Sequence, residues 1–307
     1  MSLVIAGSVA IDNVKTPHDT QEGLLGGSAA YASLAASIFC KDVHLVGIVG
    51  HDFPKQHLSM LEAKGISLEG VERSAGASFS WTGEYFEDMN TRATHNVAIN
   101  VLEHWVPKVP QSAASSAKIA VLANMSPDNQ LQTLEQCSGA SFVAADTMDL
   151  WINIANERLH EVLKKIDLLV INDGEAKEFA KTTNLVDAGR KLQAKGPRFV
   201  IVKRGEHGSY VFGEGADDFF SCSAYPLESV FDPTGAGDSF LGGLCGWLAA
   251  NGRFKPTFDD LKSAAAHGSV TASFTCEAFS TRRLQEVDSG DVAERIQKLR
   301  SYTSFAA

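Results

Sequence analysis

Basic residues are in the minority here: 27 lysines and arginines face 37 aspartates and glutamates, a formal charge of -10. A field of that sign repels phosphate backbones and anionic headgroups, so neither nucleic acid nor a membrane surface is an expected partner. Cysteine is scarce as well. Cys40, Cys137, Cys222, Cys245 and Cys276 stand singly, without a C-x-x-C pair and in odd number. That pattern excludes a zinc ribbon and a complete disulfide framework, and reads as small buried hydrophobes in a reducing, cytoplasmic setting. No two of the nine histidines have H-x-x-x-H spacing, so no structural metal is expected. The opening MSLVIAGSVAID has no basic leader, and its apolar run is too short for a signal segment or a membrane span. Two phosphate cradles are also missing. There is no Gly-Lys dipeptide, which removes the P-loop, and no G-x-G-x-x-G follows an expected strand, which removes the dinucleotide turn.

What the chain does contain is a regular alternation. Short apolar runs predict buried strands at Leu3 to Gly7, Val43 to Val49, Lys118 to Ala123, Phe142 to Ala145, Leu168 to Asn172 and Phe199 to Lys203. Helical stretches separate them, near Ser28 to Phe39, Pro54 to Lys64, Asn129 to Cys137, Ile152 to Lys165, Ala176 to Lys181 and Val186 to Lys195. Three more follow at Ala236 to Ala250, Asp259 to Thr275 and Gly290 to Arg300. The rhythm is that of a mainly parallel sheet covered on both faces, an α/β fold of three layers. No repeat, low-complexity tract or linker divides it, so residues 1–307 read as one domain.

One segment breaks the rhythm. Apolar residues alternate with polar ones at Phe79, Trp81 and Tyr85 and again at Val97, Ile99 and Val101, around turn chemistry at Asp88, Met89 and Asn90. We expect an antiparallel hairpin at about 78–105 with one face that the main core does not cover. It is read as a lid over the substrate or a surface for a second copy of the chain, with an ordinary sheet extension as the plain alternative.

The most informative string is Asp232-Pro233-Thr234-Gly235-Ala236-Gly237-Asp238-Ser239-Phe240, which opens a helix with Leu241, Leu244 and Leu248 on one side. Glycines at 235 and 237 allow a sharp turn, and the first amides of a helix lack intrahelical partners at the positive end of its dipole. This turn is an anion hole. A carboxylate beside an anion hole repels the phosphate it should welcome, unless a hydroxyl lies between them. The hydroxyl then gives its proton to Asp238 while its oxygen attacks phosphorus. Helix capping by Asp238 is the competing reading.

This string resembles the C-terminal signature of the ribokinase-like carbohydrate kinases, the PfkB family, with its D-x-x-G-A-G-D core. Three further matches follow the family's order: Asp12 after the first strand, the pair Gly26-Gly27 before a helix of small residues, and Asn172-Asp173-Gly174-Glu175 as its N-x-x-E. The resemblance implies a ribokinase-like fold with a small antiparallel β lid. It also implies ATP with Mg²⁺, a monovalent cation such as K⁺ as an additional cofactor, and Asp238 as base beside the hole of Gly235, Ala236 and Gly237. Asp12, Gly26, Gly27, Ser28, Tyr31, Trp81 and Arg92 are the expected substrate contacts. Asn172, Glu175, Lys203, Gly205, Gly208 and Thr234 are expected on the nucleotide side, with Glu175 and Asn172 reaching Mg²⁺ through water. Glu175 is equally a first-turn helix acid. Tyr31 departs from the family, which commonly has asparagine there; its ring either stacks on a ligand or packs between helix and sheet.

A phosphorylated substrate calls for several cations, yet the hairpin carries Glu84, Glu87, Asp88 and Glu103 against Arg92 alone. The expected acceptor is therefore a small unphosphorylated sugar, with a ribonucleoside as the alternative and a non-catalytic sugar or nucleotide sensor as the reading from another class.

Overall fold

A run such as Leu168-Leu169-Val170-Ile171 can lie in the middle of a sheet only if both its faces are covered, and this chain supplies a cover for each. The computed structural model describes residues 2–304. In chain order, β1 (Ser2–Ala6), β2 (Ala10–Lys15) and β3 (Thr20–Gly26) lead to α1 (Ser28–Ser37), β4 (Val43–Val49), α2 (Lys55–Ala63) and β5 (Ile66–Arg73). The hairpin β6 (Ser80–Tyr85) and β7 (Arg92–Ala98) follows. Alternation resumes with α3 (Gln111–Ser116), β8 (Ala117–Leu122), α4 (Pro127–Gln136), β9 (Phe142–Asp146), α5 (Asp149–Ile154) and α6 (Asn156–Leu163). It continues through β10 (Leu168–Asn172), α7 (Asp173–Ala180), α8 (Leu185–Gln193), β11 (Phe199–Lys203), β12 (Ser209–Phe212) and β13 (Phe219–Cys222). Helices α9 (Ala236–Ala250), α10 (Phe258–Thr275) and α11 (Ser289–Thr303) come last.

The central sheet has nine strands in the order β13-β12-β11-β10-β9-β8-β1-β4-β5, parallel from β11 to β5 and antiparallel only at the β12 and β13 edge. Alternate residues feed two cores. Leu3, Ile5, Val121, Val170 and Ile201 pack toward α1, α9 and α10, while Val4, Ala6, Leu122, Ile171 and Val202 pack toward α4, α6, α7 and α8. β1 is flanked by β4 on one side and β8 on the other, so the strand order reverses there, and ligands of open α/β sheets bind beyond the carboxyl ends at such a point.

The expected helix at Ile152 to Lys165 is two helices. Ala155 leaves helical geometry at φ -134° and ψ 32°, and Asn156 Nδ2 satisfies the freed Ile152 carbonyl at 3.0 Å. The expected hairpin is present, but it does not stand alone. β2 and β3, which periodicity did not reveal, join it in a second sheet ordered β3-β2-β6-β7, antiparallel at both outer pairs and parallel between β2 and β6. Val14, Leu24, Tyr85 and Phe279 give this sheet a small core of its own. Ile99 and Val101 lie beyond β7, at the start of a short 3-10 turn.

The apolar helix α9 is held by contact too close for side chains. A Cβ on Gly242 would lie 2.1 Å from the Ala32 carbonyl oxygen, and one on Gly246 would lie 2.7 Å from Ala36 Cα. Small residues four apart on α9 thus meet small residues four apart on α1. The helix carrying Asp238 has little freedom to slide.

Candidate active site

Three consecutive features of the chain build the centre of the site. Asp232 is fully buried, and its carboxylate accepts from Thr234 N at 2.9 Å and from Ser280 N at 2.9 Å, which shapes the turn before α9. Gly235 then adopts φ 75°, a conformation open mainly to glycine. A Cβ there would also strike the Tyr31 ring at 2.4 Å. The helix starts at Ala236, so Asp238 stands in its first turn.

Tyr31, only 1% exposed, lies under this turn. The expected ligand contact through its ring therefore gives way to packing between helix and turn. Ser28 is likewise buried and bonded within the protein. Its Oγ donates to the Asn124 carbonyl at 3.0 Å and its N–H to Ser8 Oγ at 3.0 Å, so it ties α1 to the ends of β1 and β8. Gly27, at φ 93°, brings its backbone against Ser8, Val9 and Ala10, where a Cβ would lie 2.5 Å from the Ser8 carbonyl oxygen. Gly26 serves Asp12 directly: a Cβ there would fall 2.0 Å from a carboxylate oxygen of Asp12.

Asp12, on β2, is 5% exposed. Burial, with Asp232 and Asp238 nearby, pushes its carboxyl up to about 8. Trp81 is its neighbour on β6 in the parallel register. The Trp81 indole N–H donates to Thr94 Oγ1 at 3.2 Å, and the Arg92 guanidinium stands over the ring at 6.0 Å. Arg92 also bears on Asp238, whose carboxyl burial and Asp146 raise to about 7 against the pull of Lys203 and Arg92. The second sheet therefore brings Asp12, Trp81 and Arg92 together on the side that faces the α9 turn.

On the other side of that turn, Lys203 ends β11 and Asn172 ends β10 beside it. Lys203 Nζ reaches past β10 to Asp146 Oδ2 at 2.9 Å, and the same ammonium lies 2.9 Å from where a Gly237 Cβ would be. Burial alone would lower the Lys203 pKa, but Asp146, Glu175 and Asp238 raise it above the ordinary value. Glu175 and Asn172 form a capping box at the start of α7: Glu175 N donates to Asn172 Oδ1 at 2.8 Å, and Asn172 N to Glu175 Oε2 at 3.2 Å. The first-turn reading of Glu175 thus holds in its geometry. Burial and Asp146 nonetheless push its carboxyl up to about 7, with Lys203 opposing. Gly205 and Gly208 shape the turn between β11 and β12, where Gly208 N donates to the Gly205 carbonyl at 3.1 Å. A Cβ at Gly208 would meet the Cys222 carbonyl oxygen at 2.0 Å, so this glycine is required by the turn itself.

Asp146 was not found from the sequence, although the signal was available. It follows the buried run Phe142 to Ala145 at the same kind of strand end that singled out Asp12. Asp232 was seen only as part of the motif, and its burial against Ser280, 48 residues later, has no local signature.

The donor set suits a hydrated divalent cation. Glu175 stands with Asn172 at the end of β10, its carboxyl raised by burial and by nearby Asp146, and Mg²⁺ typically takes one or two carboxylates and keeps its waters. Among the described residues no cluster of three His, Cys, Asp or Glu side chains forms a protein cage for a metal, and no helix is long and apolar enough to cross a membrane.

Comparison with known proteins agrees with this geometry. Residues 5–287 match the model of the pfkB family carbohydrate kinases. A cytidine kinase of Thermococcus kodakarensis is 28% identical over 83% of this chain and 90% of its own length, and a nucleoside kinase of Methanothermobacter thermautotrophicus 26% identical over 92% and 88%. Among solved structures, the ribokinase of Giardia lamblia superposes with a TM-score of 0.80 over 95% of this chain and 99% of its own, at 20% identity, a likeness of fold. With a family match that takes in both Asp12 and the whole turn from Asp232 to Asp238, the chain belongs to the pfkB family of carbohydrate kinases and is an ATP-dependent phosphotransferase with an alcohol group as acceptor.

Proposed function

We propose that this kinase phosphorylates a hydroxyl on the ribose of a ribonucleoside, with Asp238 as the general base. The observation that carries the chemistry is Asp238 itself: a carboxylate in the first turn of α9, tuned to about 7 by burial and Asp146, where a base works best near neutral pH. The substrate hydroxyl gives its proton to the Asp238 carboxylate. Its oxygen forms the new bond to the γ-phosphorus of ATP while the bond to the β,γ-bridging oxygen breaks, and ADP leaves. The amides at the start of α9 stabilise the charge on the transferring group. Glu175 and Asn172 would hold Mg²⁺ through water, where the cation supplies further charge neutralisation.

Asp12 binds sugar hydroxyls, and Gly26 and Gly27 act through it, leaving room for its carboxylate and for the turn of backbone at Ser8 to Ala10. A ribonucleoside takes precedence over a free sugar on two grounds. Trp81, half-buried beside Asp12, offers an aromatic surface for a base, and the two relatives above are named as kinases of cytidine and of nucleosides. The second sheet, with its hairpin at 78–105, is the lid that closes over this ligand, inserted in one kinase domain. Screening ribonucleosides and free pentoses and hexoses for ADP release tests the reading. Turnover with free sugars and none with any nucleoside reverses the order of the two, and ligand-independent behaviour throughout favours a sensor.

Three finer points belong to the same proposal. Asp232 is fully buried and has no cationic side chain in an ion pair among the described residues, which supports a monovalent cation such as K⁺ beside it; exchange of K⁺ for Na⁺ at fixed ionic strength tests this. β7 is an edge strand, and Val97 on it and Ile99 just after it are each 49% exposed, which supports a homodimer through the hairpin, to be checked by light scattering. Five free cysteines support a cytoplasmic setting.

A further inference from the structure

Lys203 and Asp146 form an ion pair to which the transfer step above gives no direct part. The lysine side chain is 17% exposed and the aspartate 7%, so the pair is largely removed from water, where two such charges are costly to keep unless the arrangement has a use. Its placement points to one. Lys203 leaves β11, passes the end of β10 and reaches Asp146 on β9, with Nζ 2.9 Å from where a Cβ on Gly237 would lie in the first turn of α9. Left to itself an ammonium would not stay there, because the helix start is the positive end of the dipole. Asp146 Oδ2 at 2.9 Å holds it in place. Asp146 is itself fixed, since its Oδ1 accepts from Thr147 N at 2.8 Å and its carbonyl from Gln130 Nε2 at 2.8 Å.

We propose that Asp146 is a positioning residue for phosphoryl transfer: it anchors the Lys203 ammonium at the mouth of the α9 turn, where that cation meets the transferring phosphoryl group. The inference rests on the kinase reading, which wild-type turnover and Asp238→Asn test separately. Charges from five elements converge here, with Asp146 on β9, Lys203 on β11, Glu175 on α7, Asp238 on α9 and Arg92 on β7. Without the anchor, Lys203 is free to turn toward Glu175 or Asp238 and leave the mouth of the turn. The last of these moves would also occupy the base.

The test is a double-mutant cycle with Asp146→Asn and Lys203→Met, read in kcat, KM for both substrates and melting temperature. Misplacing one charged group in such a site costs on the order of 10- to 10²-fold, and we expect that loss in kcat for Asp146→Asn, with KM for ATP changed less than about threefold. The double variant should be no slower than Lys203→Met alone, since an anchor has no effect once the anchored group is gone. Multiplying losses in the double variant, or wild-type kcat in Asp146→Asn, overturns the proposal. A purely structural aspartate would lower the melting temperature and leave the kcat of the folded fraction unchanged, which overturns it too. Should Asp146→Asn not fold, Asp146→Glu keeps the charge and displaces it by one methylene. A folded Asp146→Glu with reduced kcat and unchanged KM for ATP supports the anchor, and one with full kcat refutes it.

Discussion

The two sides of the site are built to different tolerances. At the start of α9, a Cβ on Gly235 meets the Tyr31 ring and one on Gly237 meets Lys203, and the nearby carboxyls of Asp238 and Glu175 are both pushed up to about 7 by burial and by Asp146. Across the site, β7 is exposed along most of its length. The outer face of the hairpin is held by ordinary surface pairs, with Glu84 between Lys15 at 2.7 Å and His95 at 3.0 Å. Such pairs contribute about 0–1 kcal/mol each. The side that carries the reaction is fixed in place by packing and leaves charge unsatisfied. The second sheet, which we propose covers the ligand, is satisfied and exposed at its edge, as that role requires.

The sharpest way to break this contrast is at its most constrained point. Asp238→Asn should lower kcat by about 10²–10⁴ while leaving ATP binding and melting temperature nearly unchanged, because the amide keeps the shape but cannot take the proton. Steady-state kinetics with calorimetric titration of ATP decides it. A variant with more than about a tenth of wild-type kcat removes Asp238 from the proton transfer.

Next in size is Gly235→Ala. The left-handed conformation alone costs a residue with a Cβ about 1–2 kcal/mol, and the Tyr31 ring must move besides. We expect a lower melting temperature and a loss of kcat. In contrast, Asn96→Ala on β7 should stay within about 0.5 kcal/mol of wild type with full activity. Equal effects of the two substitutions would erase the difference between the two sides.

A third test uses pH. The Asp12 carboxyl is pushed up to about 8 in the folded protein against an ordinary 3.8. Between those values the folded chain binds a proton that the unfolded chain has lost, so the stability this group contributes is complete below the lower value and is lost as pH rises through the upper one. The slope approaches about 1.4 kcal/mol per pH unit per group. Asp12→Asn removes this dependence. Its melting temperature should gain on wild type as pH rises from 5 to 8, at the expense of a raised substrate KM. A difference between the two proteins that stays constant with pH rejects the buried-acid account of Asp12.

How much of this was legible beforehand follows from where each signal lies. The parallel core was readable because runs such as Phe199 to Lys203 are continuous, buried on both faces and separated by helical stretches. The start of α9 was readable because Gly235, Ala236, Gly237 and Asp238 are adjacent in the chain. β2 and β3 were missed because Asp12, Asn13 and Lys15 break the apolar alternation, and the strands are stabilised by pairing with a hairpin some 70 residues away. The pairs Lys203–Asp146 and Asp232–Ser280 join residues distant in sequence, and only the assembled sheet edge brings them together. Tyr31 illustrates the reverse difficulty: its position beside the glycine pair suggested a ligand, and only the fold shows that the ring fills the space under Gly235.

The smallest expected effect belongs to the covering side and concerns Trp81. Its ring lies over Gly83, where a Cβ would come within 2.1 Å of it, and it is in edge contact with Tyr85 at 6.5 Å between centroids. It is neither fully exposed nor part of the two large cores. If the hairpin closes over the ligand, Trp81→Ala removes contact area from the bound state and loosens the seal against water. The substrate KM should then rise by a factor of about 3 to 10, since a lost aromatic contact is worth about 0.5–1.5 kcal/mol. Substrate-independent ATP hydrolysis should increase, and KM for ATP should not change, because the nucleotide is expected beside Lys203 and Asn172 at the opposite end of the α9 turn. A ring that served only the small core of Val14, Leu24, Tyr85 and Phe279 would give another pattern, a lower melting temperature with substrate KM intact. A ring at a dimer surface would give a third, dissociation in light scattering. An unchanged KM in either case removes Trp81 from the cover and leaves Asp12 and Arg92 as the proposed ligand contacts of the second sheet.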